Sequence, residues 1–393
     1  MASLRTGAEA AAGVLVLALT LSGCDGRASR PSPSPVSVRW QAVPDVAPGL
    51  AVSELVSCGD FWYAVGGTRT GPDTTTPGLF RSADGASWQP LRVEPVSVYG
   101  PQNLLYSAGC AGGRLVALGT TAGGVHANPR TSSWVAMLPD GSLREVPAGF
   151  ELFGGNAAIG VNTVAAGTRG FVLAGNRIGA NGRAGAVVWR SPDGSQFALV
   201  DGDPALSSDA DAMTEASAAV ALADGTWLLG GALQRHNSPG AAREPLAWRS
   251  TDGAAWQREV LPDASGDTAV ERIAGWSDGA LAVGVRQGRF ASWLRGRAGG
   301  WQPARAFGSA SGTEVPRVAG LAVSEGRAVA VVCDGTSYRL WLTTEGIGWR
   351  PVPAPAELSC GRQHHLTVAL RGGELLAGVD DGTQARLLHA AVG

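Results

Sequence analysis

Three observations in the 393-residue chain predict an all-β fold: a seven-bladed β-propeller of four-stranded antiparallel blades, the last blade closed by an N-terminal strand. The first is a nine-residue segment that occurs three times, at Phe80-Arg81-Ser82-Ala83-Asp84-Gly85-Ala86-Ser87-Trp88, from Trp189 to Phe197, and from Trp248 to Trp256. The second is a recurring small-apolar run ending in glycine, as in Tyr63-Ala64-Val65-Gly66 and Leu281-Ala282-Val283-Gly284. The third is a turn pair ahead of each run, such as Asp224-Gly225 or Asp278-Gly279. Short apolar runs separated by such pairs read as antiparallel hairpins. Four strands in roughly 45–55 residues is the unit of a propeller blade.

Each unit therefore holds an inner strand, a Gly turn, the small-apolar strand, a loop, an aromatic strand, an Asp-Gly turn and an outer strand. The closing hydrophobic positions fall at residues 40, 88, 143, 197, 256, 301 and 349. Degenerate copies keep the aromatic spacing from Trp293 to Trp301 and from Trp341 to Trp349, while the copy around Asp140-Gly141 ends in Leu143. Six units are complete, and the last, after Leu358, supplies three strands before Gly393. Val38-Arg39-Trp40-Gln41 resembles an outer strand such as Ser87-Trp88-Gln89 and is expected to fill the vacancy. Closing the ring removes sheet edges that would otherwise invite aggregation.

Composition excludes other classes. The chain is 45% hydrophobic and 16% charged with a net charge of −2, too apolar and too neutral for disorder. Its 31 basic residues are all arginine, balanced by 33 acidic ones, so it lacks the basic excess of a nucleic-acid binder. The 57 glycines follow no three-residue period and are placed in turns and strand ends. Most of the 13 tryptophans fall on the aromatic third strand or the outer strand, which assigns them to packing between blades.

At the N-terminus, Arg5 precedes an apolar stretch at residues 10–21, too short to span a bilayer but of signal-peptide length. It ends in Leu21-Ser22-Gly23-Cys24, which resembles the bacterial lipobox. The resemblance implies a signal peptide over residues 1–23, a lipid on Cys24 and an exported protein anchored to the bacterial cell membrane on its extracytoplasmic side. Residues 24–36 then read as the lipidated Cys and a Pro/Ser-rich tether. Residues 37–393 read as the propeller domain.

The combination Ser-x-Asp-Gly-x-x-Trp resembles the Asp-box, or BNR, repeat of sialidase-like propellers. That resemblance implies a structural hairpin between third and outer strands, built on Asp84, Asp193, Asp252, Trp88 and Trp256. Asp accepts backbone N–H bonds in such a turn, and Gly supplies positive φ. None of the sialidase catalytic elements carries over. The chain has no Arg-Ile-Pro element, and of its four tyrosines only Tyr99 and Tyr338 fall in loops on the expected ligand face. No catalytic residue is assigned, because a fold alone does not license an activity.

Cys58, Cys110, Cys333 and Cys360 form an even set in an exported chain, which favours disulfides with three possible pairings. Pairing neighbouring blades gives Cys58–Cys110 and Cys333–Cys360. No CxxC spacing supports a metal site, and no cofactor is expected. His364 and His365 are expected to point to opposite sides of a strand.

Arg69, Arg177, Arg235 and Arg286 each follow the small-apolar strand within a few residues, where they open the loops opposite the Asp-Gly turns. The longest loops add His126, Arg130, His236 and Arg243 to that side. Guanidinium groups there suit carboxylate, sulfate or phosphate. The function that follows is a lipid-anchored, non-catalytic scaffold binding a protein or glycan at its loop face, with no nucleic-acid partner. The alternatives are a sialidase-like glycoside hydrolase and an envelope or complex assembly factor, since photosystem-assembly propellers share similar repeats.

Overall fold

The small-apolar runs become the second strand of each blade, and their burial explains their composition. In blade 4, Trp227–Arg235 is buried over its first seven residues, because neighbouring blades cover both faces of this strand. Such a strand reads as a continuous apolar run with no alternation. In the computed structural model, which describes residues 34–392 except 72–73, 124–128, 238–239, 241 and 263–265, the sheets form seven antiparallel blades. Blade 1 is Leu50–Cys58, Phe61–Gly71, Thr74–Ser82 and Gln89–Pro90, from inside outward. The inner strands of blades 2 to 7 are Leu104–Ala111, Ala158–Gly167, Ala212–Ala221, Thr268–Trp276, Arg317–Ser324 and His365–Arg371. Blade 2 gains a fifth strand, Val93–Glu94, paired in parallel with Leu143–Val146, which the repeat pattern did not announce.

In four blades the glycine at or next to the end of the small-apolar run (Gly66, Gly175, Gly231 and Gly284) has a steric cause. A bulge interrupts the inner strand between Val52 and Glu54, and the residue before it, Val52, pairs with Gly66. A Cβ on Gly66 would lie 2.0 Å from the Ala51 carbonyl oxygen. The same arrangement recurs where Gly231 meets the Glu215 carbonyl and Gly284 meets the Ala269 carbonyl, each at 1.8 Å from a built Cβ. Only glycine admits that approach.

The tryptophans also have a repeated role. Trp134, Trp189, Trp248 and Trp293 on the third strands are fully buried. Three of them donate the indole N–H to the connector entering their own blade, at Leu152 O (2.8 Å), Ala205 O (2.8 Å) and Pro262 O (3.0 Å). A large apolar ring with one donor thus fastens a connector while filling the core.

The ring closes as expected. Gln41–Ala42 pairs antiparallel with Ala385–Ala391, opposite His389 and Leu388. The segment before it reaches back to blade 6, where the Val36 N–H meets Pro351 O and the Trp40 indole meets Pro353 O, both at 2.9 Å. Val36 is buried among blade 6 and 7 side chains, so core packing begins at the last residue of the expected tether. The signal peptide, Cys24 and the rest of the tether lie outside the described residues.

Blades 1 and 7 are joined by a second device. Arg69 donates twice through one guanidinium nitrogen to the Asp380 carboxylate, at 2.7 and 2.8 Å, and once to Leu50 O at 2.9 Å. Asp380 is buried and also accepts the Val52 N–H. Disulfides join Cys58 to Cys110 at the turn end of the inner strands of blades 1 and 2, and Cys333 to Cys360 at the opposite, loop end.

Deleting residues 34–43 is expected to lower the melting temperature of the entire propeller in one transition, and unchanged melting would refute the closure. Asp380→Ala removes the carboxylate that Arg69 and the Val52 and Gly382 N–H groups share. It should cost about 3 kcal/mol in denaturant titration.

Candidate functional site

The topology gives every inner strand a problem at the ring centre. Its outer edge pairs with the second strand, whereas its other edge faces the channel and leaves backbone groups without a ladder partner. Side chains from adjoining blades meet this need. Thr367 of blade 7 accepts the Leu55 N–H (3.2 Å), Glu54 of blade 1 accepts the Ala108 N–H (2.6 Å), and Ser107 of blade 2 accepts the Val164 N–H (3.2 Å). Asn176 of blade 3 accepts the Ala216 N–H (2.9 Å), and Glu271 of blade 5 accepts the Val318 N–H. Arg272 completes the seam from blade 5 to blade 6 by donating to Ala319 O at 2.8 Å. Glu54, Ser107 and Glu271 each sit at an inner-strand bulge, which sets how they turn toward the next blade.

These contacts enclose a channel cavity of about 680 Å³, lined by all seven inner strands and including Glu54, Tyr106, Asn162, Arg272 and His365. Burial lifts the Glu54 carboxyl from 4.5 to about 7, a rise opposed by the Ala108 N–H and the Arg272 charge. Burial likewise raises Glu271 and lowers Arg272 and His365. Glu54 is thus a channel group able to exchange a proton near neutrality. It is also a structural acceptor.

A second cavity, of about 320 Å³, lies on the loop face over blade 2, between connectors and the start of the third strand. Its wall includes Val96, Tyr99, Arg130, Glu145, Phe150 and Phe153. Glu145 is fully engaged: it accepts the Val96 and Ser97 N–H groups at 2.7 and 2.8 Å and the Ser97 and Ser132 hydroxyls at 2.6 and 2.9 Å. Those bonds outweigh its burial and hold its carboxyl below the ordinary glutamate value. A Cβ at Gly100 would fall 2.1 Å from Glu145 Oε2, so a larger residue there would displace the carboxylate that holds this connector.

The sequence candidates occupy separate places. The Ser-x-Asp-Gly turns form the expected caps: Asp84 accepts the Ala86 and Ser87 N–H groups at 2.9 and 2.7 Å, while Ser82 Oγ accepts the Gly85 N–H at 2.8 Å. Asp252 repeats this with Ala254 and Ala255, and Asp193 with Ser195. Gly85, Gly194 and Gly253 have φ between 73° and 79°. The Trp88 indole closes its turn on Gly85 O (3.1 Å), and Trp256 is buried.

The four candidate anion-binding arginines do not act as one group. Arg69 is committed to Asp380, Arg235 pairs with Glu244 at 2.8 Å, and Arg177 donates to Glu151 O at 2.8 Å. Arg286 also has an interaction partner. Arg243 pairs with Asp267, and His236 lies 3.4 Å from Arg183. His126 lies outside the described residues. Tyr338 accepts from Arg317 and donates to His364 O, and among the described residues no carboxylate is bonded to it. His364 precedes the strand and contacts Ser359, while His365, the first residue of the strand, lines the channel. Among the described residues no three His, Cys, Asp or Glu side chains are placed to hold a metal ion.

No protein-family model and no curated protein matches the chain. Among solved structures it is similar to the polysaccharide lyase Uly1, at 12% identity and TM-score 0.49 over 88% of this chain and 91% of that one. It is also similar to a PL25 ulvan lyase bound to -[GlcA(1-4)Rha3S]-, at 12% identity and TM-score 0.48 over 92% and 94%. A third is the Pseudomonas aeruginosa periplasmic gluconolactonase PpgL, at 16% identity and TM-score 0.47 over 87% and 88%. Likeness at this level concerns the fold alone.

The raised Glu54 value has a thermodynamic consequence. The unfolded chain releases this proton near 4.5 and the folded chain near 7, so the associated stability is complete below pH 4.5 and lost as pH rises through 7. Glu54→Gln keeps an acceptor for Ala108 without the titration. Its unfolding free energy should fall less than wild type between pH 5 and 8, by on the order of 1–3 kcal/mol, with a residual slope from Glu271.

Proposed function

We propose that the chain is an exported, lipid-anchored protein whose propeller serves as a non-catalytic binding scaffold. The lipid sits on Cys24, the Asp-box-like turns are structural, and the ligand, a protein or glycan, docks on the face of connectors and second-to-third-strand loops. The observation that carries this reading is the division of labour among polar groups. Between blades around the channel, Glu54, Glu271 and Arg272 are bonded to the backbone of the adjoining blade. On the loop face, Val96 and Phe150 stand 61% and 56% exposed beside an open cavity. Apolar side chains grouped around a cavity mark a place for recognition. The two disulfides agree with an oxidising compartment, where such bonds persist.

A hydrolase reading has one supporting feature, the Glu54 carboxyl near 7, which suits a general acid or base. An assembly-factor role is a special case of the scaffold reading in which the bound protein is a complex subunit.

The test is capture from a detergent extract of cell envelope by the immobilised full-length chain. The scaffold reading expects a discrete protein or glycan that is lost with Val96→Ser plus Phe150→Ser and kept with Ser195→Ala on the opposite face. Hydrolysis of a fluorogenic sialoside by the same preparation, abolished by Glu54→Gln, would contradict it.

A further inference from the structure

Many of the arginines in this protein are bonded to a carboxylate or a carbonyl, as Arg69, Arg177, Arg235 and Arg243 are. Arg130 is an exception. It opens the third strand of blade 2, Arg130–Met137, and its side chain lines the loop-face cavity of about 320 Å³. Among the described residues its guanidinium makes no hydrogen bond or ion pair, and its Nε–H is buried without an acceptor. Two aromatic rings hold it in place, with the guanidinium carbon 4.5 Å from the Phe150 centroid and 5.3 Å from that of Tyr99. A guanidinium between aromatic faces is stabilised as a cation and loses little freedom when it binds a planar anion.

The carboxylate in the same wall makes no ion pair with it. Glu145 spends both oxygens on Val96, Ser97 and Ser132. A buried donor without an acceptor costs free energy that a ligand oxygen would recover. Around the donor the wall is largely apolar, with Val96, Val146, Pro147 and Phe153 beside the two rings. The cavity therefore offers one fork-shaped cationic donor and an apolar surround, at the small end of ligand-site volumes.

We infer that this pocket binds a carboxylate carried on a flat, apolar ring body. The carboxylate takes the Arg130 fork in a bidentate pair, and the ring rests against Phe150 and Val96. A free aromatic acid and the terminus of a partner ending in an aromatic residue share this chemistry. The inference deepens the scaffold reading by naming the pocket and the ligand class, and it rests on the loop face being the binding face.

Benzoate is the probe, titrated into the full-length chain in detergent by ligand-observed NMR, with benzamide, acetate and glucuronate in parallel. Benzoate should bind more tightly than acetate and glucuronate, and benzamide, which lacks the charge, should show no competition. Arg130→Ala should weaken benzoate about ten- to a hundred-fold. Arg130→Lys keeps the charge without the fork and should recover only part of the loss, and both variants should melt as the wild type does. Equal benzoate affinity in Arg130→Ala, equal binding of benzamide, or glucuronate binding as tightly as benzoate would each overturn the assignment. Envelope capture separates the two levels: a chain that captures its partner but binds no benzoate retains the scaffold reading and loses the pocket.

Discussion

The structure depends on how the channel-facing edge of each inner strand is satisfied. Seven sheets arranged around an axis point seven unpaired strand edges at a common cavity, and backbone groups there need partners. The chain meets this demand circumferentially, with Thr367, Glu54, Ser107, Asn176 and Glu271 each accepting an N–H from the adjoining blade. Bulges in the inner strands of blades 1, 3, 4 and 5 bring inner and second strands into close approach, which in turn imposes glycine at positions 66, 175, 231 and 284. A recurring glycine thus follows from a recurring bulge.

That requirement also shapes what the channel can do. Carboxylates placed among blades are held by backbone donors and shifted by burial, so their chemistry and their structural service are coupled. Removing Glu54 would alter a proton site and uncap Ala108 together. The loop face carries fewer such obligations. Glu145 there fixes a connector, and with that connector fixed, Arg130 stands between Tyr99 and Phe150 facing open volume. Recognition is freest where the scaffold has least need of the side chain.

Most of the architecture was legible in the chain because its determinants are local and repeated. Asp-Gly turns, small-apolar runs and aromatic spacing marked six blades, and Val38–Gln41 resembled a missing outer strand. Neighbouring blades also paired the cysteines correctly. The site was less legible because its determinants lie between blades. Arg69 looked like an anion ligand, yet its partner Asp380 is 311 positions away and ties the ring shut. Glu54 and the Glu271-Arg272 pair passed unremarked, although charge within apolar inner strands was the available signal. Arg130 was only one of several loop cations. Nothing local foretold that Glu145, 15 positions on, would be satisfied elsewhere and leave it without a partner. The fifth strand of blade 2 escaped notice because two residues, Val93–Glu94, carry no periodicity.

The central claim is that side chains of one blade close the open edge of the next, and amide hydrogen exchange tests it most directly. Leu55, Ala108, Val164 and Val318 would be compared with exposed loop amides under native conditions. The account predicts that these four exchange only through the cooperative opening that unfolds the ring, with free energies near the global value. In Glu54→Ala, Ala108 should lose that protection while Val164 keeps it. Rapid exchange of all four in the wild type, as expected of bare strand edges facing a water-filled channel, would contradict the account.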